Sequence, residues 1–189
     1  MPVPAIKVTV SRTVNFLFAP LINGKTQQTM SATAIAVLPV SYSTAPFAMA
    51  VEKNIVIYPD GHTINLSPQD FGWKDEGQWF TTDGSNDDPT IRTNEQVKIG
   101  DPIWIAPGAM TTLYSTITYP QTIIVPVVNS TEQKTWQNIL GYAAFHITGV
   151  DSKSISGHFL NKFFAPDAIP DTGEGTYYGV TGTPKLVAP

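Results

Sequence analysis

Three histidines, His62, His146 and His158, are the side chains of this chain best suited to bind a transition metal or to move a proton near neutral pH. None stands in an HxH or HExxH spacing that would bring two imidazoles to one ion. His146 and His158 lie in separate strand-like segments that could be neighbours, but a metal would still need a further ligand and hydrogen-bonded support. We therefore expect structural or surface roles for the histidines.

An oxygen-rich loop is the second candidate for chemistry. Calcium takes six to eight oxygen ligands and favours loops that contain glycine, as this one does. The loop lacks the alternating acidic spacing and the closing glutamate of an EF-hand, so we expect a solvated loop without a cofactor. Calcium remains the one cofactor worth testing. The candidate calcium ligands are Asp83, Asn86, Asp87 and Asp88.

Aromatic and acidic residues are interleaved in the middle of the chain. Such rings can stack on sugars, and neighbouring carboxylates can bind hydroxyl groups or act as an acid–base pair in glycoside hydrolysis. The sequence does not fix the separation of the carboxylates, and a core anchored by tryptophan explains the rings equally simply. We favour packing over sugar binding, and both over catalysis. The rings are Phe71, Trp73, Trp79 and Phe80, and the carboxylates are Asp70, Asp75 and Glu76.

No enzyme motif is present in the sequence. The chain has no GxSxG elbow, no phosphate-binding loop and no GxGxxG. Ser156 and His158 are two residues apart and would share one face of a strand. With no cysteine, the chain has neither a thiolate nucleophile nor a thiolate zinc site. We expect a protein that is not an enzyme.

Composition indicates one β domain with a substantial core. The chain has 189 residues, of which 42% are apolar and only 14% charged, and its net charge is −4. The absence of a basic tract argues against nucleic acid and anionic membrane surfaces as partners. No run reaches the roughly 18 apolar residues of a membrane span. We expect a domain over 1–165, with an excursion at about 60–101, and a Pro/Gly-rich strap over 166–189.

Hydrophobic patterns predict mainly strands. Period-two alternation or β-branched and aromatic runs indicate strands beginning near residues 6, 29, 47, 103, 111, 122, 141 and 155. One short helix is predicted at 90–99, between Pro89 and Gly100, and a helical turn at 16–22. The predicted fold is mainly β, an antiparallel two-layer sandwich-like domain. We expect one core to unite Val8 and Val10 with two C-terminal strands, whose members are Ile123, Val125, Val127, Tyr142, Ala144 and His146.

Six segments, in order, resemble TadG-like proteins of Flp (tight-adherence) pilus assembly. They are KVTVSRTV at 7–14 with Phe16, Phe18 and Gly24; MSATAIAV at 30–37; PFA at 46–48; DFGW at 70–73; DPIW at 101–104 with PG at 107–108; and the C-terminal VPVV, GYAAF and ISGHF segments. The resemblance spans roughly residues 6–160. It implies an accessory pilus component in the extracytoplasmic cell envelope, whose parent carries an anchor helix in the inner membrane.

The resemblance implies a role in protein contacts, and leaves a homo-oligomer open. We expect the partners to be other pilus or envelope proteins, bound through exposed aromatic residues and edge strands. Two alternatives stay open: a carbohydrate-binding or adhesin module, and a phage or virion structural subunit with a jelly-roll-like fold. The expected partner surface consists of Phe71, Trp73, Trp79, Tyr177 and Tyr178.

Overall fold

The computed structural model describes ten stretches of the chain, and every structural statement below concerns those residues. They are 5–15, 27–37, 42–44, 46–61, 63–72, 76–86, 96–108, 111–170, 175–182 and 185–187. The chain divides into two compact units: a larger unit, Pro39–Thr183, and an N-terminal unit, Pro2–Leu38 with Pro184–Pro189. Each unit is described by itself.

Within these stretches the chain forms sixteen strands and two four-residue helical segments, α1 (Lys53–Val56) and α2 (Thr111–Tyr114). The prediction of a mainly β fold is confirmed. The strands are β1 (Ala5–Asn15), β2 (Gln27–Val37), β3 (Tyr42–Thr44), β4 (Met49–Glu52), β5 (Gln69–Gly72), β6 (Gly77–Thr81), β7 (Val97–Lys98), β8 (Pro102–Ile105), β9 (Gln121–Val128), β10 (Thr135–Asn138), β11 (Gly141–Val150), β12 (Ser154–Phe159), β13 (Phe163–Phe164), β14 (Ile169–Pro170), β15 (Val180–Thr181) and β16 (Lys185–Val187).

The N-terminal unit contains one three-stranded sheet, which we call the N-terminal sheet. β1 and β2 pair antiparallel over their full length, from Ala5 opposite Val37 to Asn15 opposite Gln27. β16 pairs with the other edge of β2, so β2 is the central strand. Residues 185–187 thus belong to the same sheet as β1 and β2. The domain limits expected from the sequence, 1–165 and 166–189, stay a prediction.

The larger unit is built on an eight-stranded sheet with the order β10-β8-β6-β4-β9-β11-β12-β5. All neighbouring strands are antiparallel except β4 and β9, which are parallel. Two small sheets accompany it, one formed by β14, β3 and β7 and the other by β13 and β15.

The eight-stranded sheet must curl, because its strand order conflicts with a flat arrangement. β5 and β6 are five positions apart in the sheet, which is about 24 Å across a flat sheet. The five Cα steps from Gly72 to Gly77 span at most about 18 Å. The curled sheet brings Phe71 of β5 against Gly77 of β6. The concave side therefore encloses a core.

Both faces of the curled sheet are buried. On β11, Ala143, Phe145 and Ile147 belong to one core cluster, while Tyr142 and Ala144 belong to a second cluster on the opposite face. The first cluster, the inner core, also includes five other aromatic rings, and α1 and α2 each contribute a buried residue to it. Burial on both faces explains why β9 and β11 are continuous apolar runs and not alternating ones. The five rings are Phe71, Trp79, Tyr114, Phe159 and Tyr178.

Two local predictions are wrong. Residues 111–114 form α2 and not a strand. Val97–Lys98 is strand β7, so the helix predicted over 90–99 does not extend through these residues; 90–95 lie outside the described residues, as does the turn predicted at 16–22. Gly100, with a φ of 93°, belongs to a turn in which Asp101 N donates to Lys98 O at 3.1 Å, and does not end a helix.

The third error concerns the core. Val8 and Val10 were expected to share a core with β9 and β11, but they are 52% and 64% exposed. Tyr142 and Ala144 also lie on the face opposite Val125, because successive side chains of a strand point to opposite faces. The core is therefore divided by the sheet, and β1 is not part of it.

Candidate functional site

The aromatic surface expected from the sequence lies largely in the interior. Phe71 is fully buried, Trp79 is 1% exposed and Tyr178 is 3% exposed. Phe71 packs edge-on against Phe145 with ring centroids 4.6 Å apart, and Trp79 packs edge-on against Tyr114 at 5.2 Å. These rings pack within the inner core.

The remaining two residues of the expected surface are Tyr177 and Trp73. Tyr177 is half-buried, and its Oη donates to Asn161 O at 3.1 Å. Burial raises the pKa of the phenol of Tyr177, and it also raises the pKa of the Tyr178 phenol. Both phenols therefore keep their protons near pH 7. Trp73 lies outside the described residues.

Two other tryptophans form an aromatic pair at the edge of the large sheet. Trp104 on β8 and Trp136 on β10 are cross-strand partners, with ring centroids 5.6 Å apart and a tilt of 56°. Trp136 is 48% exposed. The analysis of the sequence missed this pair, although the alternation Ile103–Trp104–Ile105 already places Trp104 on the opposite face from its two buried neighbours.

The oxygen-rich loop is joined to the tryptophan pair. Asn86 Oδ1 accepts a hydrogen bond from Trp104 Nε1 at 3.1 Å, and Asp83 Oδ1 accepts one from Ser85 N at 3.1 Å. Asp87 and Asp88 lie outside the described residues. Where the structure describes the chain, no group of three or more potential metal ligands occurs. The hydrogen bonds of Asp83 and Asn86 give this loop a local structural role.

His146 and His158 are neighbours on the large sheet. They are direct cross-strand partners, and their ring centroids are 5.3 Å apart. His146 Nδ1 is hydrogen-bonded to Thr122 Oγ1 at 3.0 Å. The two strands that carry these histidines, which the sequence suggests could be neighbours, are thus paired.

The three carboxylates suggested by the sequence for sugar binding or acid–base chemistry lie elsewhere. Asp70 and Glu76 are exposed, and Asp75 lies outside the described residues.

The N-terminal sheet has one apolar face and one hydroxyl-rich face. Directly opposed residues of an antiparallel pair point to the same side. Val8 therefore shares a face with Ala34, Val10 with Ala32, and Arg12 with Met30. We call this the apolar face. Its largest apolar side chains, Val8, Val10 and Met30, are 52%, 64% and 61% exposed.

The opposite face of the N-terminal sheet carries a ladder of hydroxyl groups. Thr9 and Thr33 are hydrogen-bonded through their Oγ1 atoms at 3.1 Å, and Thr13 and Thr29 in the same way at 3.1 Å. Ser11 lies between these two pairs. Hydroxyl groups can hydrogen-bond to water, whereas exposed apolar side chains gain free energy when another surface covers them.

Comparison with known proteins gives one match, and it falls on the N-terminal sheet. The family Tad_C, described as "Putative Tad-like Flp pilus-assembly", matches residues 1–36. No curated protein matches the chain, and no solved structure does. The matched residues include all of β1 and nearly all of β2. The match associates this part of the chain with Flp pilus assembly.

Proposed function

We propose that this protein is a non-enzymatic structural or accessory component of a Flp (tight-adherence) pilus assembly system, similar to TadG-like proteins. The observation that carries the proposal is the coincidence between the family match over residues 1–36 and the strand pair β1–β2. The function would be exerted through protein contacts in the extracytoplasmic cell envelope.

The physical chemistry of the N-terminal sheet supports a contact role. A two-stranded ribbon is marginally stable in water by itself, and β16 adds only three residues to its edge. The side chains of the apolar face are mostly exposed. Covering them with a partner would remove apolar surface from water, at about 25 cal/mol per Å².

The helices of the described residues bear on how the protein meets the membrane. None is long and apolar enough to cross a bilayer, since each of the two helical segments has four residues. The proposed attachment to the inner membrane therefore rests on the resemblance to TadG-like proteins alone.

Gene replacement in a bacterium that makes the pilus tests the proposal. Deleting the gene should abolish or strongly reduce Flp pili counted by electron microscopy. Val10→Asp and Met30→Asp, on the apolar face, should have the same effect, while Ser11→Asp, on the hydroxyl face, should preserve piliation. Immunoblots must show equal amounts of the variants. Normal piliation in the deletion strain would refute the function.

A further inference from the structure

The two units carry opposite net charges. The N-terminal unit, residues 2–38 and 184–189, contains four basic residues and none of the fifteen acidic residues of the chain, a charge of +4. The larger unit contains the other seven basic residues and all fifteen acidic ones, a charge of −8. The basic residues of the N-terminal unit are Lys7, Arg12, Lys25 and Lys185.

This charge distribution makes some partner surfaces more favourable than others for covering the apolar face of the N-terminal sheet. Two N-terminal sheets packed against each other would bring like charges together, with Arg12 on the apolar face of both. The larger unit of another copy is net negative and present at the same concentration. Electrostatic attraction therefore favours contact between the N-terminal unit of one copy and the larger unit of another.

Both units also present a free strand edge among the described residues. β1 is the first strand of the N-terminal sheet, and β10 is the first strand of the large sheet, so each has one edge without a neighbouring strand. Edge strands can pair with a strand of another chain. Trp136 stands on β10 and is 48% exposed, which gives this edge an apolar side chain of its own.

We propose that the N-terminal sheet of one copy binds the larger unit of a second copy, with β1 adding to the edge of β10 and the apolar face meeting Trp136. This contact rests on the proposed function, for which a second copy of the chain is the partner. The N-terminal sheet is about 36 Å long and, over most of its length, two strands or about 10 Å wide, which gives about 400 Å² per face. Stable interfaces bury about 800 Å² per partner, so we expect weak association that is increased by concentration.

A contact between unlike surfaces has a consequence for assembly. After two copies bind, the pair retains one unused N-terminal sheet, on one copy, and one unused β10 edge, on the other. Such head-to-tail contacts produce rings when the rotation closes and open filaments when it does not. Because the attraction is between opposite charges, raising the salt concentration from 0.05 to 0.5 M should weaken association by about tenfold.

Cross-linking of the purified full chain tests the contact directly. Because the chain has no cysteine, single cysteines can be introduced without background. Ser11→Cys marks β1 and Gln137→Cys marks β10, and the two proteins are incubated with a short bismaleimide separately and as a mixture. We expect a covalent dimer in the mixture that is at least about fivefold more abundant than in either separate sample.

Further variants test whether the cross-linked contact uses the apolar face or the hydroxyl-rich face of the N-terminal sheet. Adding Val10→Asp to the Ser11→Cys protein should abolish the cross-link, whereas Thr13→Asp on the hydroxyl face should preserve it. Thermal melting followed by circular dichroism must show that both fold. Trp136→Ala in the Gln137→Cys protein should also reduce the cross-link.

Several outcomes would overturn the inference. A dimer in the Ser11→Cys sample alone would show that N-terminal sheets bind each other. A chain that sediments as a monomer at all concentrations and forms no mixed dimer would show that the two surfaces do not meet. Binding to phosphatidylglycerol vesicles without a cross-link would assign the apolar face to a membrane surface. None of these results decides the role in pilus assembly, which the gene replacement tests separately.

Discussion

A Cβ atom added to Gly77 would lie 2.5 Å from Cδ2 of Phe71, a separation that real Cβ atoms do not reach. Phe71 is fully buried and packs against Phe145, so its ring has no free space into which to move. The close approach of β5 and β6 closes the curled sheet, and it depends on the absence of a side chain at residue 77.

Gly77→Ala should therefore destabilise the larger unit by about 1–3 kcal/mol, the usual cost of overpacking. Urea unfolding followed by fluorescence measures this. Gly149→Ala is the matched control, because a Cβ at that strand position would lie 3.7 Å from Ser156 Cβ, an ordinary contact. Equal stability of the two variants would show that the Phe71 ring can move.

Val125→Asp and Val10→Asp should differ in their effect on folding. Val125 is fully buried in the inner core. A buried, unpaired carboxylate costs several kcal/mol against a total stability of about 5–15 kcal/mol, so Val125→Asp should not fold. Val10 is 64% exposed, and Val10→Asp should melt near the temperature of the parent. Soluble, cooperatively melting Val125→Asp protein would contradict the structure.

Tyr142→Phe should destabilise the protein by about 1–3 kcal/mol, because it leaves a buried acceptor without its donor. Tyr142 Oη donates to Val97 O at 2.6 Å in the second core cluster, on the face of the large sheet opposite the inner core. Burial, and then the negative charge of Asp101, raise the pKa of Tyr142, so the phenol keeps its proton near neutral pH. Tyr177→Phe removes a more exposed hydrogen bond and should cost less. A larger loss for Tyr177→Phe would refute this ranking.

Asp151 should make the protein more stable above pH 4 than below it. Hydrogen bonds from Lys153 N, from Ser154 Oγ and from Ser154 N hold the pKa of Asp151 below its ordinary value of 3.8. A lowered pKa means that the stabilisation is complete above the unfolded value and is lost as the pH falls through the folded value.

Melting temperatures between pH 2 and pH 6 measure the contribution of Asp151. The parent should lose stability more steeply than Asp151→Ala as the pH falls below 4. Ser154→Ala, which removes one of the three hydrogen bonds to Asp151, is the comparison, and its loss of stability should lie between those of the parent and Asp151→Ala. Parallel curves for the parent and Asp151→Ala would contradict the expected role of this side chain.

Local sequence patterns predicted the positions of the strands well. They did not predict which other parts of the chain pack against each strand. The alternation around Val8 and Val10 indicates a strand with one apolar face, and β1 is such a strand. Alternation does not reveal whether anything covers that face, and here the face is exposed. The pair Trp104–Trp136 was missed for a related reason, because it arises from the pairing of β8 with β10.

Contacts between strands that are far apart along the chain account for the other differences between the predictions and the structure. The inner position of Phe71 follows from the order of the eight-stranded sheet, which no local pattern encodes. The neighbouring positions of His146 and His158, in contrast, follow from the hairpin of β11 and β12 and could be anticipated. Side chains whose neighbours are close along the chain were predictable, and those whose neighbours depend on strand order were not.

The pairing of β16 with β2 imposes an order on biosynthesis. β1 and β2 are synthesised before the larger unit, but β16, the third strand of their sheet, is synthesised only after it. If that sheet is the contact surface, the surface is complete only once translation has passed residue 187. A chain released earlier would carry β1 and β2 without their third strand.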